Sequence, residues 1–168
     1  MELVLVLHNI RSVYNVGAIL RSFEGFGGKR AIFSGYTPYP GLRPGVLPHI
    51  AEKIQEQVGK TALGAEKMVA LEWTPDIIGK LRSYKRRGYK IVELENNLRD
   101  KRLHPLNEFG LKDKLGGKIV LVLGEEVHGI PEDVRKEADA FVEIPMRGRK
   151  ESFNVSVAAG IALYQLMT

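Results

Sequence analysis

Short apolar runs, each too short for a stable helix, recur along this chain between stretches of helical pattern, and that alternation constrains the fold more than any single motif. Strands are expected at 3–7, 31–33, 68–71, 90–94, 118–123 and 140–144, with helices at 16–26, 76–87, 132–137 and 153–167. A βα alternation of this kind predicts an α/β fold: a mostly parallel sheet with helices on both faces. Two stretches break the rhythm. Residues 35–49 hold four of the eight prolines and three glycines, and residues 95–117 form a second long, polar connection. Loops of that length in a compact domain are usually functional or disordered. With 168 residues, no internal repeat and no composition shift, the sequence reads as one domain with no separate extension.

The last 16 residues, Phe153 to Thr168, carry no charge. They are too few and too polar to span a bilayer and too apolar for the outside of a soluble monomer, so a buried helix is expected. It stands behind a basic loop, Ile144-Pro-Met-Arg-Gly-Arg-Lys-Glu-Ser152, which such a helix would pin against the core. There is no cysteine, which excludes disulfides, thiolate chemistry and cysteine-bound zinc. The N-terminus, MELVLVLHN, reads as a first strand rather than a signal peptide, and a cytoplasmic protein is expected. Lys plus Arg exceed Asp plus Glu by 25 to 20, which suits a polyanionic partner. Nine basic residues lie within 80–102 against three acidic ones, and Arg147, Arg149 and Lys150 form a second cluster. Each run is equally readable as a solvated face.

Three loops at strand ends carry groups with chemistry. In the first, Asn9-Ile-Arg-Ser-Val-Tyr-Asn15-Val-Gly17-Ala-Ile-Leu-Arg21, either Ser12 or Asn15 can cap the following helix. Arg21 is either a surface arginine lying along the helix or a planar fork that approaches the loop-end pocket to hold a phosphate. The second, Val120-Leu-Val-Leu123-Gly124-Glu125-Glu126-Val-His128-Gly129-Ile-Pro131, builds a ligand loop at the carboxyl end of a strand without the dinucleotide fingerprint. Glu126 there either satisfies a helix dipole or faces a hydroxyl or an arginine. In the third, Ser152, Phe153 and Asn154 arrive at a helix N-terminus, as caps or as ligand-binding groups. No His, Asp and Glu set has metal-ligand spacing, so no metal is expected.

Taken jointly and in this order, the segments NIRSVYNVGAILR, LVLGEEVHGIP and IPMRGRKESFNVSVAAGIALYQL resemble the three motifs of the SpoU/TrmH branch of the SPOUT RNA methyltransferases. The resemblance runs over essentially the whole chain. It implies transfer of a methyl group from S-adenosylmethionine to a ribose 2′-hydroxyl, on tRNA rather than rRNA, with no DNA or membrane partner. It also implies a homodimer and a sheet whose C-terminal part is tied into a deep trefoil knot, a rare exception to the unknotted rule. The terminal helix would then be buried between subunits. Carried over position by position, Leu94, Gly124, Ile144, Met146, Ser152 and Phe153 would bind the cofactor, and Asn15, Arg21, Glu126, Ser152 and Asn154 would form the polar, catalytic group. Because an arginine holds its proton below pH about 12, Arg21 is expected to clamp phosphate and steady the developing alkoxide rather than to act as a base. Glu125 departs from the family, which usually has Asn, Ser or a similar small residue between Gly124 and Glu126. That extra carboxylate motivates an alternative, a non-catalytic RNA-binding or assembly protein that keeps the knotted fold.

Overall fold

In a computed structural model describing residues 1–96, 98–125 and 129–168, the chain forms one seven-stranded sheet in which every pairing is parallel. In chain order the elements are β1 (Glu2–His8), α1 (Val13–Gly25), β2 (Arg30–Ser34), α2 (Pro48–Ala62), α3 (Ala65–Met68), β3 (Ala70–Thr74) and α4 (Ile77–Arg86). They continue with β4 (Lys90–Leu94), β5 (Leu103–Pro105), α5 (Leu111–Leu115), β6 (Lys118–Leu123), α6 (Glu132–Arg135), β7 (Ala140–Glu143) and α7 (Val155–Met167). The strand order is β3-β2-β1-β6-β4-β7-β5. β6 therefore sits at the centre, between β1 and β4, and its carboxyl end adjoins the switch in strand order where α/β sheets hold ligands.

Strand pleating separates the core into two layers. On one face Leu3, Leu5 and Leu7 of β1 and Ile119, Leu121 and Leu123 of β6 pack with α1, α2, α5 and α7. On the other, Val4, Val6, Val120 and Val122 meet Ile77, Leu81 and Tyr84 of α4 and Val134 of α6. Both faces being covered explains why the central strands read as unbroken apolar runs. No described helix is long and apolar enough to cross a membrane.

Three expectations need correction. A helix, α2, follows the proline-rich loop; Pro48, read as loop, occupies its first turn, where a missing N–H costs nothing. The strand expected at 68–71 begins at Ala70, because Met68 completes the short α3. The connection 95–117 contains β5 and α5, the latter anchored by buried Leu111 and Leu115. The terminal helix is buried on one side only: Ala159, Ala162, Leu163 and Leu166 are sealed in the core, while Val157, Ile161 and Tyr164 are 49%, 38% and 60% exposed.

Candidate active site

Three loops that are distant in sequence close around one cavity of about 340 Å³ at the carboxyl ends of β4, β6 and β7. Its walls are Leu94, Leu123, Ile144, Phe153, Val155 and Ala158; its polar lining includes Glu95, Asn96, Glu125, Glu151, Ser152 and Arg135. Gly124 is required by packing, since a Cβ there would lie 2.4 Å from Ile130 Cγ1 and 3.0 Å from the Gly129 carbonyl carbon.

The loops are tied together by side chains that follow β4. Asn96 receives the Ile144 backbone N–H on Oδ1 and donates from Nδ2 to the carbonyls of Ile144 and Glu151, each at 3.2 Å. One amide thus sets the width of the cavity between its β4 wall and the basic loop. Glu95 accepts the Ile130 backbone N–H and so holds the loop after β6. Burial pushes the Glu95 carboxyl above its ordinary value, against that N–H and the nearby Arg135 guanidinium. Glu93, fully buried one strand repeat below, has no hydrogen-bond partner on either oxygen among the described residues. Burial, reinforced by Glu95 and opposed by Arg135 and Arg102, pushes its pKa up to about 8.

The first loop is held from the β1 side. Asn9 donates to His8 Nε2 (3.2 Å), which leaves the ring proton on Nδ1 for Ser34 Oγ (2.8 Å), and burial lowers the His8 pKa. Thr37 bridges the same strands, accepting from Ile10 N–H and donating to the Leu7 carbonyl. Arg11 then crosses to the second loop and pairs with Glu125 at 2.5 Å, the Glu125 side chain being 9% exposed.

Of the six expected cofactor positions, Leu94, Gly124, Ile144, Ser152 and Phe153 line the cavity, whereas Met146 lies on the same loop outside its lining. Asn154 caps α7, accepting from Ser156 N–H, and its Nδ2 donates to Asn15 Oδ1 at 3.3 Å, which joins the first loop to the third. Ser152 is therefore not the cap residue; it is exposed at the cavity wall. Ser12, not Asn15, caps α1. Arg21 is exposed and is absent from the lining. It lies about 9 Å further along α1 than Asn15 and about a third of a turn round it, so the two do not converge on this cavity from one copy. Glu126 lies outside the described residues. Sequence reasoning passed over Glu95, Asn96, Arg11 and Arg135. The signal available for the first two was their place directly after an apolar strand, equivalent to that of Gly124 and Glu125 after β6.

The family described as SpoU rRNA Methylase matches residues 2–164. The 23S rRNA (guanosine-2'-O-)-methyltransferase RlmB of Xylella fastidiosa (strain 9a5c) is 32% identical over 164 residues, covering 97% of this chain and 57% of the relative. An uncharacterized tRNA/rRNA methyltransferase of Mycobacterium sp. (strain KMS) is 31% identical over 164 residues, covering 98% and 46%. The chain thus spans about half the length of these curated relatives. Among solved structures, the TrmH/SpoU tRNA modifying enzyme of A. aeolicus superposes with a TM-score of 0.76 at 25% identity, covering 99% of this chain and 74% of that one. An AdoMet-bound rRNA methyltransferase from Sinorhizobium meliloti superposes at 0.77 with 21% identity, covering 98% and 55%, and shares the fold. With the carboxyl ends of β4, β6 and β7 closed on one cavity and the family's pattern matched from residue 2 to 164, this chain belongs to the SpoU rRNA methylase family.

Proposed function

We propose that this protein is an S-adenosylmethionine-dependent RNA 2′-O-ribose methyltransferase, acting on tRNA ahead of ribosomal RNA and working as a homodimer. The observation that carries the reading is the convergence of Leu94, Gly124, Ile144, Ser152 and Phe153 on one cavity. Its volume falls in the usual ligand-site range of about 300–1,000 Å³. The lining suits the cofactor's chemistry: apolar walls for a purine, Arg135 for a carboxylate, and Glu95 and Glu125 beside a cationic ligand. When bound, the cofactor supplies the methyl group on a positively charged sulfur.

The chain's own residues would then do three things. Asn96 holds the cavity walls at fixed width, so that positioning of the two reactants supplies much of the rate. The Asn15–Asn154 pair forms a polar rim where a ribose hydroxyl can be held. Arg21 clamps a phosphate and stabilises the charge developing on the ribose oxygen. Because it stands away from the cavity of its own copy, we assign it to the cavity of a second copy, brought close by the exposed apolar side of α7. The trefoil knot belongs to the same proposal. Glu125 gives little support to the non-catalytic alternative, since Arg11 pairs with it and little of it is exposed.

The test is calorimetric binding of S-adenosylmethionine, followed by transfer of its methyl group to tRNA and to ribosomal RNA. Acquired resistance of one linkage to alkaline cleavage identifies the 2′-oxygen. Arg21→Ala is expected to keep cofactor affinity and to lose transfer by about 100-fold or more, the scale seen when one group stabilising developing charge is removed. Methyl found on a base, or no methyl on either RNA with cofactor bound, overturns the reading.

A further inference from the structure

A second cavity, of about 370 Å³, opens beside the first and shares Leu98 and Arg135 with it. Its floor is Phe141, with the Arg102 guanidinium 4.8 Å from the ring centroid. Four cations border it, Arg99, Arg102, Arg135 and Lys136, against two acids, Asp100 and Glu132. Both acids are already engaged. Asp100 takes a two-pronged bond from Arg102 at 3.0 and 2.7 Å as well as the Arg102 backbone N–H, and Glu132 pairs with Lys136 at 3.3 Å. The side chains of Arg99 and Arg135 make no hydrogen bond or ion pair among the described residues, so the groove keeps a net positive field. Glu93 and Glu95, the acids near Arg135, offset it only in part, since burial pushes both carboxyls upward, Glu93 to about 8.

Elsewhere the basic run is spent on tethers. Lys80 pairs with Glu72, Arg82 with Glu137 and Lys85 with Asp139, Arg87 stacks on Tyr84, and Lys90 donates to the Lys114 carbonyl. Within this run Arg86, Arg99 and Lys101 are left without such a tether among the described residues, and of these Arg99 borders the groove.

We propose that the groove bordered by Arg99, Arg135 and Lys136 is a phosphodiester seat that holds the RNA backbone next to the cofactor cavity. The assignment rests on the RNA methyltransferase reading above and adds to it where the strand lies. A half-buried arginine fork suits a phosphate's paired oxygens, and Arg135, lining both cavities, links a phosphate in the groove to the neighbouring site. RNA supplies such anions at regular spacing, which a single small anion does not.

The test is filter binding of the full chain, with saturating S-adenosylmethionine, to total tRNA and to purified ribosomal RNA over about 50–200 mM salt. Compared are the wild type, the doubly substituted Arg99→Gln/Lys136→Gln protein, and Lys112→Gln on α5, outside the groove's lining. The double variant is expected to bind cofactor as the wild type does, to lose about tenfold in RNA affinity, and to show a salt slope shallower by about 0.7–0.9 for each cation removed. Lys112→Gln is expected to change neither. A double variant with wild-type affinity and slope overturns the groove alone, whereas a wild type that binds cofactor but neither RNA overturns the parent reading and the groove with it.

Discussion

Gly17 shows how one atom decides whether two helices meet. A Cβ at that position would lie 2.1 Å from Thr61 Oγ1 and 2.3 Å from the Val58 carbonyl oxygen, so α1 and α2 approach closely because the side chain is missing. Gly17→Ala is expected to lower stability by about 1–3 kcal/mol, read from urea unfolding, because a packed interface resists an added carbon. Glu93 makes a different demand. Its carboxyl ionises near 4.5 when unfolded and near 8 when folded, so between those values the folded state holds a proton that the unfolded state has released. The contribution to stability is complete below pH 4.5 and falls as pH rises to about 8, by roughly 1.4 kcal/mol per unit. Glu93→Gln, which cannot ionise, should gain on the wild type across that window when unfolding free energies are compared at successive pH values; a constant difference would refute the assignment.

At the level of elements, β1, β6, α4 and α7 were readable because local pattern and tertiary burial agree in them: unbroken apolar runs for doubly covered strands, an Asp76 cap before a helical stretch, an uncharged segment for α7. α2 is absent from the sequence expectation although Ala51, Ile54, Val58 and Ala62 recur at helical spacing, because the prolines mark a loop through His49 and the stretch behind it carries no assigned element. β5 was missed for a better reason. It has three residues and exists only because β7 pairs with it. The same division runs through the site. Motif positions on loop backbones could be read in order along the chain, while Asn96 matters through hydrogen bonds to residues far away in sequence and Arg135 through its place in the cavity lining. Asn96→Ala removes three hydrogen bonds at 3.2 Å between the cavity's walls. S-adenosylmethionine affinity measured by calorimetry should then fall about tenfold or more, consistent with losing bonds worth about 1 kcal/mol each, while the secondary structure seen by circular dichroism is unchanged.

Across the whole molecule, the outer side of α7 is what a second copy would cover. Val157, Ile161 and Tyr164 are exposed on a helix whose other side is sealed against the core, and Phe26 meets Tyr164 edge-on at its border. Ile161→Arg is expected to halve the mass seen by sedimentation equilibrium while leaving the monomer folded, because it places a charge where an apolar contact is expected. Wild-type protein that sediments as a monomer would count against the dimer. The central place of β6 has one more consequence, which concerns synthesis. β1 and β4 leave the ribosome first, yet each is separated from the other by a strand that begins only at Lys118. Until that strand emerges, one edge of β1 and both edges of β4, whose other neighbour β7 is made later still, carry unpaired amides and carbonyls, the kind of surface that recruits foreign strands. The nascent protein is therefore most open to aggregation, and most in need of a chaperone, until β6 and β7 have emerged.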